Sequence, residues 1–165
     1  MTVQYKVEEG AITSFRGDYA FLSNFYPCKI HLDSIEYPTL EHAFQAQKTS
    51  GMRAKIEIAN AKTPAEAKRL GRAVKLRPDW EDKKVVIMHK VLLPLKFSPS
   101  KHPGLVKRLL RTGDRQLVEL NNWGDVIWGV RARVRDSGTL WFGKNLLGEG
   151  LMQIRTLLQR SNLSI

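Results

Sequence analysis

The chain is poor in cysteine, in acidic residues and in long apolar runs, and each shortage excludes something. Cys28 is its single cysteine, so no internal disulfide forms; this fits a reducing compartment and makes a cytoplasmic protein the expectation. The four histidines are scattered without the spacing that zinc ligands need, so neither a metal centre nor a cofactor is expected. No apolar run approaches the ~18 residues of a membrane-spanning helix. Residues 1–10 are polar and mixed in charge, unlike a secretory signal. A membrane is therefore left out of the expected partners.

Acidic residues are outnumbered: 27 lysines and arginines stand against 16 aspartates and glutamates, a net charge of +11. A surface of that sign attracts polyanions such as nucleic acid and nucleotides, although solubility alone accounts for many basic proteins. With 165 residues, 42% hydrophobic and 26% charged, the composition is that of one globular domain spanning 1–165, its core falling within about 11–160. No repeat, low-complexity tract or linker interrupts it.

In chain order, residues 11–37 read as β. Lys29 to Leu32 and Ile35 to Tyr37 flank Asp33 and Ser34 as a hairpin. Between the turn at Gly17 and this hairpin lies an aromatic-rich segment, residues 21–27, in which Ser23 and Asn24 are embedded; it is either a loop that plugs the core or one that offers hydrogen bonds to a ligand. Thr39 is the expected N-cap of a helix. A second helix is expected over 64–72, with Thr63, Pro64 and Glu66 forming a capping box. A third is expected from Trp80 to about Leu93, capped by Asp79, with Val85, Met88 and Leu92 inward and a kink or stop at Pro94. A short basic helix is expected over 104–112, ended by Gly113. Residues 116–120 read as a strand. Arg131, Arg133 and Arg135 alternate, so an extended backbone puts three guanidinium groups on one side; they are either a polyanion contact or an edge strand kept from pairing by charge. A final helix is expected from about 145–147 to 158, with Leu151, Ile154, Leu157 and Leu158 buried. The sum is an α+β fold, one compact domain, mainly helical with a small sheet or hairpin near the N-terminus.

The segment with most chemistry runs from Tyr37 to Lys48. On a helix Glu41, Gln45 and Lys48 fall at i, i+4 and i+7 and share one face. An isolated acid–base pair of this kind is usually a solvated face. Here His42, Ala43, Phe44 and Ala46 supply enough apolar surface to bury the helix in part, and three polar groups on a half-buried helix line a site.

Ordered pieces along the chain strengthen that reading. They are Phe15, Arg16 and Gly17 with Leu22 to Phe25; Tyr37 to Lys48; Thr63 to Lys68; Trp80; Met88; Lys96 and Phe97; Asp125 to Gly129; and Gly143 to Gly148 with Leu151 and Met152. Together they resemble the NADAR family, also called YbiA-like, over nearly the whole chain. The resemblance implies a compact, mostly helical α+β fold and cleavage of a base–ribose N-glycosidic bond. It implies two substrate classes: ADP-ribose attached to guanine in nucleic acid, and phosphorylated ribosylamino-pyrimidine intermediates of riboflavin synthesis. Two departures stand out. Val130 occupies a place that is acidic in many members, so no catalytic acid is assigned there. The segment around Pro94 is one residue longer than the usual spacing before Lys96 and Phe97.

Such a cleavage builds positive charge on the ribose and negative charge on the leaving base. Glu41 is the expected catalytic carboxylate, and Asp125 a second one from a loop, unless Asp125 merely forms an Asx turn. Lys48 orients Glu41, binds phosphate, or attacks the anomeric carbon as a neutral amine. Trp80 and Trp128 are expected to stack on a base, or else are core. Phe15, Arg16, Gly17, Ser23, Asn24 and Gln45 complete the expected substrate contacts, and Gly143 and Asn145 offer free N–H groups to phosphate at the last helix's start. The leading expectation is removal of ADP-ribose from guanine in DNA or RNA, which suits the charge. The runner-up is hydrolysis of the small riboflavin-pathway N-glycoside. A non-catalytic module that binds ADP-ribose or NAD is the rival of another class.

Overall fold

The structure, a computed structural model, describes residues 3–162. The backbone divides into two compact units: a mid-chain unit, Ser23–Leu105, and a terminal unit of Met1–Leu22 with Val106–Ile165. The fold is α+β, mainly helical, with two small antiparallel hairpins.

The mid-chain unit opens on the expected hairpin, β1 (Pro27–Leu32) against β2 (Ile35–Thr39). Asp33 and Ser34 join the strands at φ 52° and 64°, the left-handed pair whose twist matches that of the strands it connects. β2 runs without a loop into α1 (Leu40–Gln47), where Thr39 caps the helix by accepting the His42 N–H. α2 (Met52–Ala59) is not announced by the sequence: Gly51 supplies no side-chain cap, and Ile58 alone is buried. α3 (Pro64–Gly71) starts as expected, Thr63 accepting the Glu66 N–H. The Glu66 carboxylate reaches back to the Lys62 N–H at 2.7 Å, one residue before the cap.

The third expected helix needs two corrections. It runs as α4 (Trp80–Val86), a π-helical turn (Ile87–Leu92) and α5 (Leu93–Lys96). Asp79 does not cap it, because its carboxylate is engaged by the Arg77 guanidinium at 2.6 and 3.0 Å. Pro94 does not stop it. The Leu93 N–H bonds to the Met88 carbonyl, five residues back, and this wider turn accommodates a proline that has no N–H to give. Met88 and Leu92 point inward as expected, while Val85 is half-buried.

The terminal unit holds a 3-10 turn (Gly17–Leu22), most of α6 (Pro103–Leu110), a hairpin of β3 (Val130–Arg135) and β4 (Gly138–Gly143), and α7 (Leu146–Asn162). Residues 116–120 are not a strand; they make two isolated bridges, Ile12 to Leu117 and Leu120 to Val130. α7 buries Leu151, Ile154 and Leu158, but Leu157 is 52% exposed. The first three follow the helical period and Leu157 falls beside their stripe. Among the described residues no helix is long and apolar enough to cross a membrane.

Candidate active site

The unusual feature of α1 is that all eight of its residues are buried, Glu41, His42, Gln45 and Gln47 among them. Charged and amide side chains are seldom so placed unless something pairs with them. His42 is explained by the fold: Nδ1 lies 2.8 Å from Thr39 Oγ1 and Nε2 lies 3.1 Å from the Ala61 carbonyl. Burial pushes its pKa below the ordinary value, and the bond to Ala61 only partly offsets that. This imidazole ties α1 to the connection between α2 and α3.

Glu41 has another environment. It is 6% exposed, its N–H donates to the Asn24 carbonyl at 3.0 Å, and its carboxylate accepts from Gln45 Nε2 at 2.7 Å. Gln45 is in turn fixed by α3, where a Cβ on Gly71 would fall 2.0 Å from Gln45 Oε1. Only glycine lets the two helices approach so closely. Lys48, at the C-cap of α1, is half-buried. Burial pushes its amine below the ordinary lysine value, the Glu41 charge opposes this, and Arg72, Lys68 and Lys84 add to it. Glu41, Gln45 and Lys48 therefore do share one environment.

The same unit collects buried polar atoms without a hydrogen-bond partner: Asn24 Oδ1, Tyr37 OH, Gln45 Oε1 and Gln47 Nε2. Each such group costs about 1–3 kcal/mol when left unpaired, and all four lie on or beside α1 and β2 or in the segment that meets the Glu41 N–H. Ser23 lies beside them, its Oγ accepting the Phe25 N–H. Sequence reasoning did not single out Lys96, which is also buried in this unit. Its side chain is 0% exposed, and Nζ donates to the Ser23 carbonyl at 2.7 Å, near the Tyr26 and Phe97 rings at 6.0 and 5.5 Å. The available signal was a lone charge at the end of the apolar run from Val91 to Phe97. Trp80 is 4% exposed, tilted onto Phe44 with ring centroids 5.2 Å apart; core packing takes up its ring.

The remaining expected residues lie in the terminal unit. Phe15 is buried, Arg16 exposed, and Gly17 opens the 3-10 turn at φ 56°. Asp125 forms the Asx turn: its Oδ1 accepts the N–H groups of Ile127 and Trp128, both at 2.9 Å. Trp128 is half-buried. Gly143, at φ 145°, allows a close approach, since a Cβ there would lie 2.3 Å from the Gly129 carbonyl oxygen. The Asn145 side chain accepts the Glu119 N–H and donates to the Leu117 carbonyl and Tyr5 OH. Its amide is occupied by the fold at both ends. Arg131, Arg133 and Arg135 do alternate on β3, and Arg133 lies over the Phe142 ring at 5.4 Å. Among the described residues no cluster of potential metal ligands occurs.

The chain is similar to known proteins. A model of the NADAR domain matches residues 13–159. The chain is 36% identical over 160 residues to the N-glycosidase YbiA of Escherichia coli (strain K12), covering 94% of this chain and 93% of that protein. It is 39% identical over 142 residues to an N-glycosidase of Nostoc punctiforme, covering 83% and 84%. A riboflavin biosynthesis protein of Vibrio vulnificus is 36% identical over 144 residues; the match takes 86% of this chain but spans only 36% of that protein's length. The NMR structure of E. coli YbiA superposes with a TM-score of 0.76 at 35% identity, over 99% of this chain and 93% of the other. With the buried polar helix in place and the match running through it, the chain belongs to the NADAR family.

Proposed function

We propose that this protein is an N-glycosidase that hydrolyses the bond between a base and a phosphorylated ribose. The observation that carries the reading is Glu41, a carboxylate buried on α1 and held by Gln45 at 2.7 Å, among buried polar atoms that lack partners. A carboxylate so placed stabilises the positive charge that grows on the ribose ring, or activates water. Relatives named as N-glycosidases support the same reaction class.

For the substrate we favour ADP-ribose on guanine in DNA or RNA. A net charge of +11 and three arginines on one strand, two of them exposed, suit a polyanion. A specific observation also supports the phosphorylated ribosylamino-pyrimidine reading: relatives from Vibrio vulnificus and Zea mays are named as riboflavin biosynthesis proteins. The test offers the protein a guanine-ADP-ribosylated oligonucleotide and the pyrimidine riboside phosphate in parallel and follows release of ADP-ribose from the first and of ribose phosphate from the second. Release from the oligonucleotide is the expected result. Cleavage of the small molecule alone removes the nucleic-acid reading, and cleavage of neither removes the N-glycosidase reading.

A further inference from the structure

Two helices that touch, α1 and α3, both end on cations. Lys48 is the C-cap of α1 and Arg72 the C-cap of α3. The contact of Gln45 with Gly71 fixes how the two helices face each other. Lys48 lies three residues after Gln45 and Lys68 three before Gly71, so each lies on the contacting face of its helix. Among the described residues, none of the three side chains enters an ion pair or a hydrogen bond, whereas nearby Lys84 is tied to Glu81. Helix dipoles favour cations at C-termini, but that accounts for exposed lysines, not for a half-buried one ringed by like charge. Desolvation and repulsion both weigh against the Lys48 ammonium, with Glu41 opposing them. An anion seated among the three relieves that repulsion.

We infer that Lys48, Lys68 and Arg72 hold the phosphate or diphosphate of the substrate, beside Glu41. The identity of the substrate rests on the N-glycosidase reading; the anion site does not. Phosphate oxygens here accept charge-assisted hydrogen bonds from two ammonium groups and a guanidinium. The sugar bearing that phosphate is thereby brought to the carboxylate.

The test uses inorganic pyrophosphate and inorganic phosphate as probes, titrated calorimetrically onto the whole chain. A double variant, Lys68→Gln with Arg72→Gln, is compared with Arg53→Gln, which removes an exposed charge from α2. Melting temperatures establish that each variant is folded. The double variant is expected to bind the tighter probe at least about tenfold more weakly, and Arg53→Gln is expected to bind it like the parent. Preference for pyrophosphate identifies a diphosphate site, and equal binding of the two probes a monophosphate site; either supports the inference. Undiminished affinity in the double variant, or equal weakening by Arg53→Gln, overturns it. Pyrophosphate binding without turnover of any N-glycoside would remove the proposed function and leave the anion site standing; turnover with an unaltered double variant would do the reverse.

Discussion

The α1 helix and the loop of residues 121–129 both carry several polar side chains, but they use them in opposite ways. In the loop, Asn121 Oδ1 accepts the N–H groups of Gly124 and Asp125, its Nδ2 donates to the Asp125 carbonyl, and Asp125 Oδ1 accepts two further N–H groups. Each of these bonds completes the backbone of a segment that has no regular structure to do so. On α1 the helix satisfies most of the backbone, and the Asn24 carbonyl and the Thr39 hydroxyl take the Glu41 and His42 N–H groups. Gln45 and Gln47 are nevertheless buried with one end of each amide unpaired. Polarity in the loop is explained by folding. On α1 folding explains His42 but not the unpaired amide ends of Gln45 and Gln47, and that surplus supports the proposed site.

The contrast can be strained from both sides. The largest effect is expected from Gly71→Ala. A Cβ would lie 2.0 Å from Gln45 Oε1 and 2.8 Å from its Cδ, so Gln45 must move and release Glu41. Overpacking of this kind costs about 1–3 kcal/mol, read by denaturant unfolding. A displacement of the carboxylate by about 1 Å lowers turnover on the order of a hundredfold. In the loop, Asp125→Ala removes the acceptor of two N–H groups and is expected to cost about 1–2 kcal/mol. Asp125→Asn keeps an acceptor oxygen and is expected to hold the melting temperature. If Asp125→Asn retains its melting temperature yet loses turnover, the charge of Asp125 serves chemistry and the contrast breaks.

The smallest effect concerns His42, whose folded pKa lies below its ordinary value because of burial. The unfolded chain then binds the extra proton more readily. The stabilisation is complete above the unfolded value near ~6.5 and is lost as pH falls from there toward the folded pKa, at no more than about 1.4 kcal/mol per pH unit. Unfolding free energies between pH 7.5 and 5 should show this loss, and His42→Gln should flatten the slope.

Much of this was legible in the sequence where a local rule decides the outcome. Thr39 and Thr63 announce their helices, the Asp33–Ser34 turn announces its hairpin, and the spacing of Glu41, Gln45 and Lys48 announces their shared environment. What was not legible depends on partners distant in sequence or on competition for them. α2 has neither a capping side chain nor an apolar stripe. Asp79 reads as a cap until Arg77 takes it. Pro94 reads as a stop until the π-helical turn absorbs it. Lys96 enters only as part of a motif until its helix carries it inside to the Ser23 carbonyl. Gly71 is conspicuous only once α1 and α3 are in contact.

The central claim is that Glu41 acts on the substrate and does not merely hold the fold. Glu41→Gln keeps the shape and an acceptor for Gln45 while removing the charge, so its kinetics and substrate affinity, measured together on the N-glycoside that the parent cleaves, test the claim most directly. The account predicts a fall in kcat of about 10²–10⁴-fold with substrate binding and melting temperature kept. Turnover within a few fold of the parent would contradict it.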